Sequence, residues 1–116
     1  MYNQFVDELK DKKKEHFYAL LLNTQNCIVE ESLISVGILD ASLIHPREIF
    51  NPAVKASSQS IILVHNHPSG DCEPSTADKE MTRMLYAAGE ILGIKVLDHV
   101  IIGNNTFFSL QEKGMM

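Results

Sequence analysis

The chain has 116 residues, 45% of them hydrophobic and 22% charged, which suits one globular domain over residues 1–116 with one core and leaves little room for a second. Its net charge of −5 argues against a broad phosphate-binding surface, so direct nucleic-acid binding by this chain alone is not expected. No apolar run is long enough to span a bilayer, and Met1-Tyr2-Asn3-Gln4 lacks the basic-then-apolar start of a signal peptide, so the expectation is a cytoplasmic protein with no membrane partner.

In chain order, residues 2 to 14 place Phe5, Val6 and Leu9 at helical spacing and finish in lysines that suit a helix C-terminus. His16 to Leu22 is a compact apolar run, and after the turn Asn23-Thr24-Gln25-Asn26 a second strand runs from Cys27 to about Val36, predicting a hairpin. Pro46 fits the first turn of a helix over about 46–58, whose apolar face of Ile49, Phe50, Ala53, Val54 and Ala56 is interrupted by Pro52. Ser60 to His65 is continuously apolar and β-branched up to the histidine, as in a central strand buried on both faces. Asn66 to Pro74 holds two prolines and a glycine and reads as a loop.

Ser75-Thr76-Ala77-Asp78 has the shape of a capping box. It opens a helix with core positions Met81, Met84, Leu85, Ala88, Ile91 and Leu92 that Gly93 stops. Ile94 to Ile102 and Thr106 to Leu110 then form strands joined through Gly103-Asn104-Asn105. The fold class expected is α/β, a single mixed sheet with flanking helices, without repeats or low-complexity segments.

The chemistry concentrates in His65-Asn66-His67, followed after ten residues by Asp78. Residues i and i+2 of a strand face the same side, so the two imidazoles can converge on one ion. Asp78 falls in the first turn of the next helix, where unpaired N–H groups favour a carboxylate, and the loop can fold it back onto the strand end. Two neutral imidazoles and one carboxylate suit tetrahedral zinc, one ion per chain, with a fourth position left for water. Water so bound has a pKa near about 7, and a nearby carboxylate can take its proton and return it to a leaving amine.

The string His65-x-His67-x7-Ser75-x2-Asp78 resembles the JAMM motif H-x-H-x7-S-x2-D of JAB/MPN-plus domains at every specified position, and His65-Asn66-His67-Pro68-Ser69-Gly70-Asp71 resembles the RadC-like branch of that group. The likeness extends to His45-Pro46-Arg47-Glu48 and Leu97-Asp98-His99, and weakens toward the ends. It implies a cytidine-deaminase-like architecture and a zinc metallohydrolase, a metalloprotease acting on a peptide or isopeptide amide of an unidentified peptide or protein substrate. It also implies a glutamate general base at the start of the first core strand, a place held here by Glu15. Ser75 would stabilise the tetrahedral oxyanion, a role compatible with capping, since a hydroxyl can accept and donate at once.

Simpler readings surround these residues. Glu15 could end an exposed helix, Asp71 is expected as a turn residue rather than an orienting carboxylate, and His45 and His99 as local hydrogen-bonding side chains. Cys27 and Cys72 lack C-x-x-C spacing and are expected as free thiols. An HNH nuclease is excluded because that label describes dispersed residues of a ββα motif, and a nucleobase deaminase because H-x-E and P-C-x-x-C are missing. The rival from another class is a non-catalytic or accessory binding module of DNA-repair or mobile-element complexes. The helix-hairpin-helix region that the RadC resemblance implies for DNA contact has no room in this chain, and the sheet edge near the C-terminal hairpin could pair two copies into a homodimer.

Overall fold

Asn23 turns the first hairpin: its side-chain oxygen accepts from the N–H groups of Gln25 and Cys27 at 2.9 and 3.0 Å, an Asx-type turn that saves the backbone from unpaired donors. In the computed structural model, which describes residues 13–37 and 44–116, this turn joins β1, His16–Leu22, to β2, Ile28–Val36. The helix expected over residues 2 to 14 falls almost wholly on 1–12, outside the described residues.

The remaining elements are α1 (Pro46–Lys55), β3 (Ser60–Asn66), α2 (Thr76–Leu92), β4 (Lys95–Ile102) and β5 (Phe107–Ser109). They build one five-stranded mixed sheet in the order β2-β1-β3-β4-β5. β3 lies at its centre, antiparallel to β1 and parallel to β4. A parallel pair needs a crossover, which α2 supplies. The expected α/β class with a single mixed sheet and flanking helices is what the chain forms, consistent with a JAB/MPN architecture.

Side-chain alternation divides the core between the two faces of the sheet. Phe17, Ala19, Leu21, Ile61 and Leu63 join Ile49, Phe50, Ala53, Met81 and Leu85 on the helix side. Leu20, Val64, Val100 and Ile102 form a cluster on the other. His65 continues the Ile61-Leu63 series, so it faces the helices at the C-terminal end of β3.

Three expectations need adjusting. The first helix ends at Lys55 rather than near 58, because Ser57 takes a left-handed backbone (φ 53°) that a helix cannot continue. Of the two C-terminal strands, β4 starts one residue later than expected, at Lys95, and β5 is trimmed at both ends, to Phe107–Ser109. On α2, Met84, Ile91 and Leu92 are exposed, and the buried stripe runs through Asp78, Met81, Thr82, Leu85 and Gly89. Gly89 belongs there because a Cβ would stand 2.4 Å from the Ile94 carbonyl oxygen, so the helix end approaches the chain entering β4 backbone to backbone. Among the described residues no helix is long and apolar enough to cross a membrane.

Candidate metal centre

His67 lies one residue past β3, yet its N–H donates to the Ile102 carbonyl at 2.9 Å and carries the strand's pairing forward. The alternation therefore holds beyond the strand, and the rings of His65 and His67 meet with their centroids 4.8 Å apart. The expected capping box is present: the Asp78 N–H donates to Ser75 Oγ at 3.1 Å, and the Ser75 N–H donates to Asp78 Oδ2 at 2.8 Å. The carboxylate is pinned by its own helix start while facing both imidazoles.

Glu15 sits in the segment just ahead of β1, and Asn66 holds the chain on both sides of it. Its carbonyl also accepts from the Gly37 N–H at 2.8 Å.

These four residues converge. His65 Nε2 and His67 Nε2 are 3.0 Å apart. His65 Nε2 lies 3.2 Å from Asp78 Oδ1, and His67 Nε2 lies 3.2 Å from Asp78 Oδ2. Glu15 Oε1 stands farther out, 3.6 Å from His65 Nε2 and 3.8 Å from His67 Nε2. One ligand atom from each of Glu15, His65, His67 and Asp78 lies within 4.8 Å of the others, so the group could hold a metal ion.

The donor set fits a small divalent ion. Bonds of about 2.0–2.1 Å in a tetrahedral shell put ligand atoms about 3.3 Å apart, close to the spacings among His65, His67 and Asp78. The wider spacing of Glu15 suits a group facing the fourth position better than one filling it. The His67 Nδ1–H donates to the Asp71 carbonyl at 2.8 Å, which leaves Nε2 of the neutral ring as a bare lone pair toward the cluster. Two carboxylates and two imidazole nitrogens aimed at one point form a set of acceptors that a cation would satisfy.

The electrostatics agree. Burial alone would raise the Asp78 carboxyl, but hydrogen bonds from the His65 and His67 rings and the Ser75 N–H outweigh it and hold the group well below the usual carboxylate range. The His67 imidazole is raised, first by its hydrogen bond to Asp78 and then by the Asp71 carbonyl and the charge of Glu15, against the opposing effect of burial. A proton on His67 Nε2 and a cation at the cluster would therefore compete for the same place.

Behind this cluster lies a buried wall. His65 Nδ1 is 2.8 Å from His99 Nε2, His99 Nδ1 closes on Thr82 Oγ1, and the Thr82 hydroxyl donates to the Asp78 carbonyl at 2.7 Å. His99 is wholly buried, with its ring edge-on to Phe17, and burial pushes its pKa well below the ordinary histidine value.

The loop after His67 is braced by the β4–β5 turn. The Asn104 N–H donates to the Gly70 carbonyl at 2.9 Å, and a Cβ at Gly103 would stand 2.5 Å from that same oxygen. A groove of about 400 Å³ lined by Lys14, Glu15, Val36, Gly37 and Pro68 opens beside Glu15.

All five residues singled out in the sequence therefore lie at one place: Glu15, His65, His67 and Asp78 in the cluster, and Ser75 as the cap that fixes Asp78. Three others bear on the cluster. His99 does bond locally, its N–H donating to Asp98 Oδ1 at 2.7 Å, but its ring reaches His65 on the neighbouring strand. Asp71 is a turn residue through its carboxylate, which accepts from the Glu73 N–H at 3.1 Å, yet its backbone carbonyl orients His67. Thr82 was marked by no motif. His45 is exposed, with no side-chain cap bond to α1. Cys27 and Cys72 are free and lie outside the cluster.

A family model described as RadC-like JAB domain matches residues 1–115. Among curated relatives, the chain is 53% identical over 111 residues to a UPF0758 protein of Desulforamulus reducens, covering 96% of this chain and 49% of the relative. It is 50% identical over 116 residues to a UPF0758 protein of Geobacter sulfurreducens, covering 100% of this chain and 51% of the relative. The chain thus spans about half the length of the curated relatives it matches.

Proposed function

The chain belongs to the RadC-like JAB domain family, and from that premise we propose that it is a zinc-dependent hydrolase cleaving a peptide or isopeptide amide. The observation that carries this reading is the convergence of Glu15, His65, His67 and Asp78, with Glu15 set back from the other three.

His65, His67 and Asp78 would hold one zinc ion per chain. When bound, zinc supplies Lewis acidity, polarising a carbonyl and lowering the pKa of a coordinated water to about 7. Glu15, partly exposed beside the groove, is placed to take a proton from the attacking water and hand it to the departing amine, so that one water and one amide become an acid and an amine. Ser75 Oγ accepts from the Asp78 N–H, and its own O–H is available to donate to the oxygen that gains charge as the carbonyl is attacked. Phe17 and the buried His65–His99 wall keep one side of the site dry, which strengthens these interactions.

The test is elemental analysis of chain purified without added metal or metal-affinity resin, beside Asp78→Ala and Glu15→Gln. About one zinc per wild-type chain, sharply reduced in Asp78→Ala and kept in Glu15→Gln, with amide hydrolysis lost in Glu15→Gln, is the expected result. No metal and no uptake on titration would overturn the hydrolase. Zinc held equally by wild type and Glu15→Gln, with neither turning over any amide in a broad panel, would favour the accessory module.

A further inference from the structure

We infer that Thr82 and His99 are positioning residues that present His65 to the metal, through a hydrogen-bond chain running from His65 Nδ1 to the Asp78 carbonyl. This inference rests on the metal reading above and adds two residues to it that lie outside the motif.

His65 can ligate through Nε2 only if its remaining ring proton is on Nδ1. That proton faces His99 Nε2 at 2.8 Å, so His99 Nε2 must be bare. A histidine ring whose Nε2 accepts carries its one proton on Nδ1, which in the fully buried His99 faces Thr82 Oγ1. Thr82 must then accept, and its hydroxyl proton must go elsewhere. The Asp78 carbonyl, one helical turn back at 2.7 Å, receives it.

Each link fixes the next, and the chain ends on the backbone of a residue that is itself in the ligand set. Run in the opposite direction, with the Thr82 hydroxyl donating to His99, the same chain would put a proton on His65 Nε2 and block the ligand atom. The carbonyl of Asp78 is what makes the ligating direction available, because it offers the Thr82 proton a place to go. Metal-bound histidines ordinarily lean on a carboxylate, a carbonyl or water, and removal of such a partner typically costs about 10- to 100-fold in metal affinity. Here the partner is a second imidazole whose tautomer is set by a hydroxyl.

The experiment measures zinc affinity of the whole chain by chelator competition for wild type, Thr82→Val and Thr82→Ser, together with the tautomer of His99 in the zinc-loaded wild type by two-bond proton–nitrogen correlation. Thr82→Val keeps shape but cannot accept, and its Kd should rise about 10-fold or more. Thr82→Ser keeps the hydroxyl and should restore affinity to within a few-fold of wild type. His99 should carry its proton on Nδ1. An Nε2–H tautomer of His99 in zinc-loaded wild type, or equal affinity in wild type and a folded Thr82→Val, overturns this inference while leaving the metal reading intact. Failure of wild type to take up zinc overturns both. The tautomer measurement needs no variant, so it decides the matter even if Thr82→Val does not fold.

Discussion

Asn66 grips the chain immediately before and after Glu15: its Oδ1 accepts from the His16 N–H at 2.6 Å, and its Nδ2 donates to the Lys14 carbonyl at 3.1 Å. The residue between the two histidines thus points away from the cluster and sets the position of the carboxylate that faces it. The Asn66 amide matches a donor and an acceptor on the same stretch of backbone, which no shorter or purely accepting side chain does. Asn66→Asp should turn the contact with the Lys14 carbonyl repulsive and cost about 1–3 kcal/mol in denaturant unfolding. Zinc stoichiometry should hold, because His65, His67 and Asp78 are untouched, while hydrolysis falls at least as far as in a partial loss of Glu15. Unchanged turnover in a folded Asn66→Asp would show that Glu15 needs no such clamp.

The raised His67 pKa has opposite effects on the metal-free protein and on metal uptake. A folded-state value above the ordinary 6.5 means the native chain binds this proton more tightly than the unfolded chain. Its stabilising contribution is therefore present below about 6.5 and lost as pH climbs through the raised value. Zinc needs the same nitrogen bare, so affinity should strengthen over that same window. Asp78 is depressed, so its contribution is present above the ordinary carboxylate range and lost only in strong acid, outside this window. As pH climbs from about 6.5 through the raised value, the thermal midpoint of chelator-treated protein should fall while the zinc Kd tightens. A Kd flat across that range would remove His67 from the ligand set.

The grouping of His65, His67 and Asp78 was legible because each of the three is announced locally. A β-branched run ending at His65 gives strand geometry to His65 and His67, and Ser75-Thr76-Ala77-Asp78 states its own helix start, which is where the capping box forms. Glu15 was reachable only through family resemblance, since nothing local ties it to His65; the connection is the antiparallel register that sets Phe17 opposite His65. His99 was hidden for the same reason. The parallel register that sets Leu63 beside His99 brings its ring to His65, and such a pairing leaves no spacing signature along the chain. The Asp71 carbonyl carries no side-chain signal at all. On α2, hydrophobicity overstated the buried face at Met84, Ile91 and Leu92 and passed over Gly89, which is buried where a Cβ would meet the Ile94 carbonyl oxygen.

Gly103 and Gly89 separate support of the site from support of the fold. A methyl group at Gly103 would meet the Gly70 carbonyl oxygen at 2.5 Å and push on the loop that carries His67 and its Asp71 partner. A methyl group at Gly89 would meet the Ile94 carbonyl oxygen at 2.4 Å, at the far end of α2 from Asp78. Both alanine variants should lose about 1–3 kcal/mol of stability through overpacking against backbone. Only Gly103→Ala should also weaken zinc binding, by severalfold in a chelator competition. Equal affinities in the two folded variants would mean that the β4–β5 turn does not hold the His67 loop in place.

Ser75 has two assignments that substitution can pull apart. As a cap it accepts from the Asp78 N–H, and in the proposed reaction its hydroxyl also donates to the developing oxyanion. Ser75→Ala removes both and should cost about 1 kcal/mol of stability, loosening Asp78 and with it the zinc. Ser75→Asp keeps a strong capping acceptor but has no proton to give at neutral pH. It should therefore unfold at a denaturant concentration close to wild type and keep about one zinc per chain, while hydrolysis drops about 100-fold, the scale seen when an oxyanion donor is removed. The added negative charge beside Asp78 works in favour of cation binding, so a loss of turnover in this variant cannot be assigned to lost metal. Full activity in Ser75→Asp would confine Ser75 to the cap and leave the oxyanion to other donors.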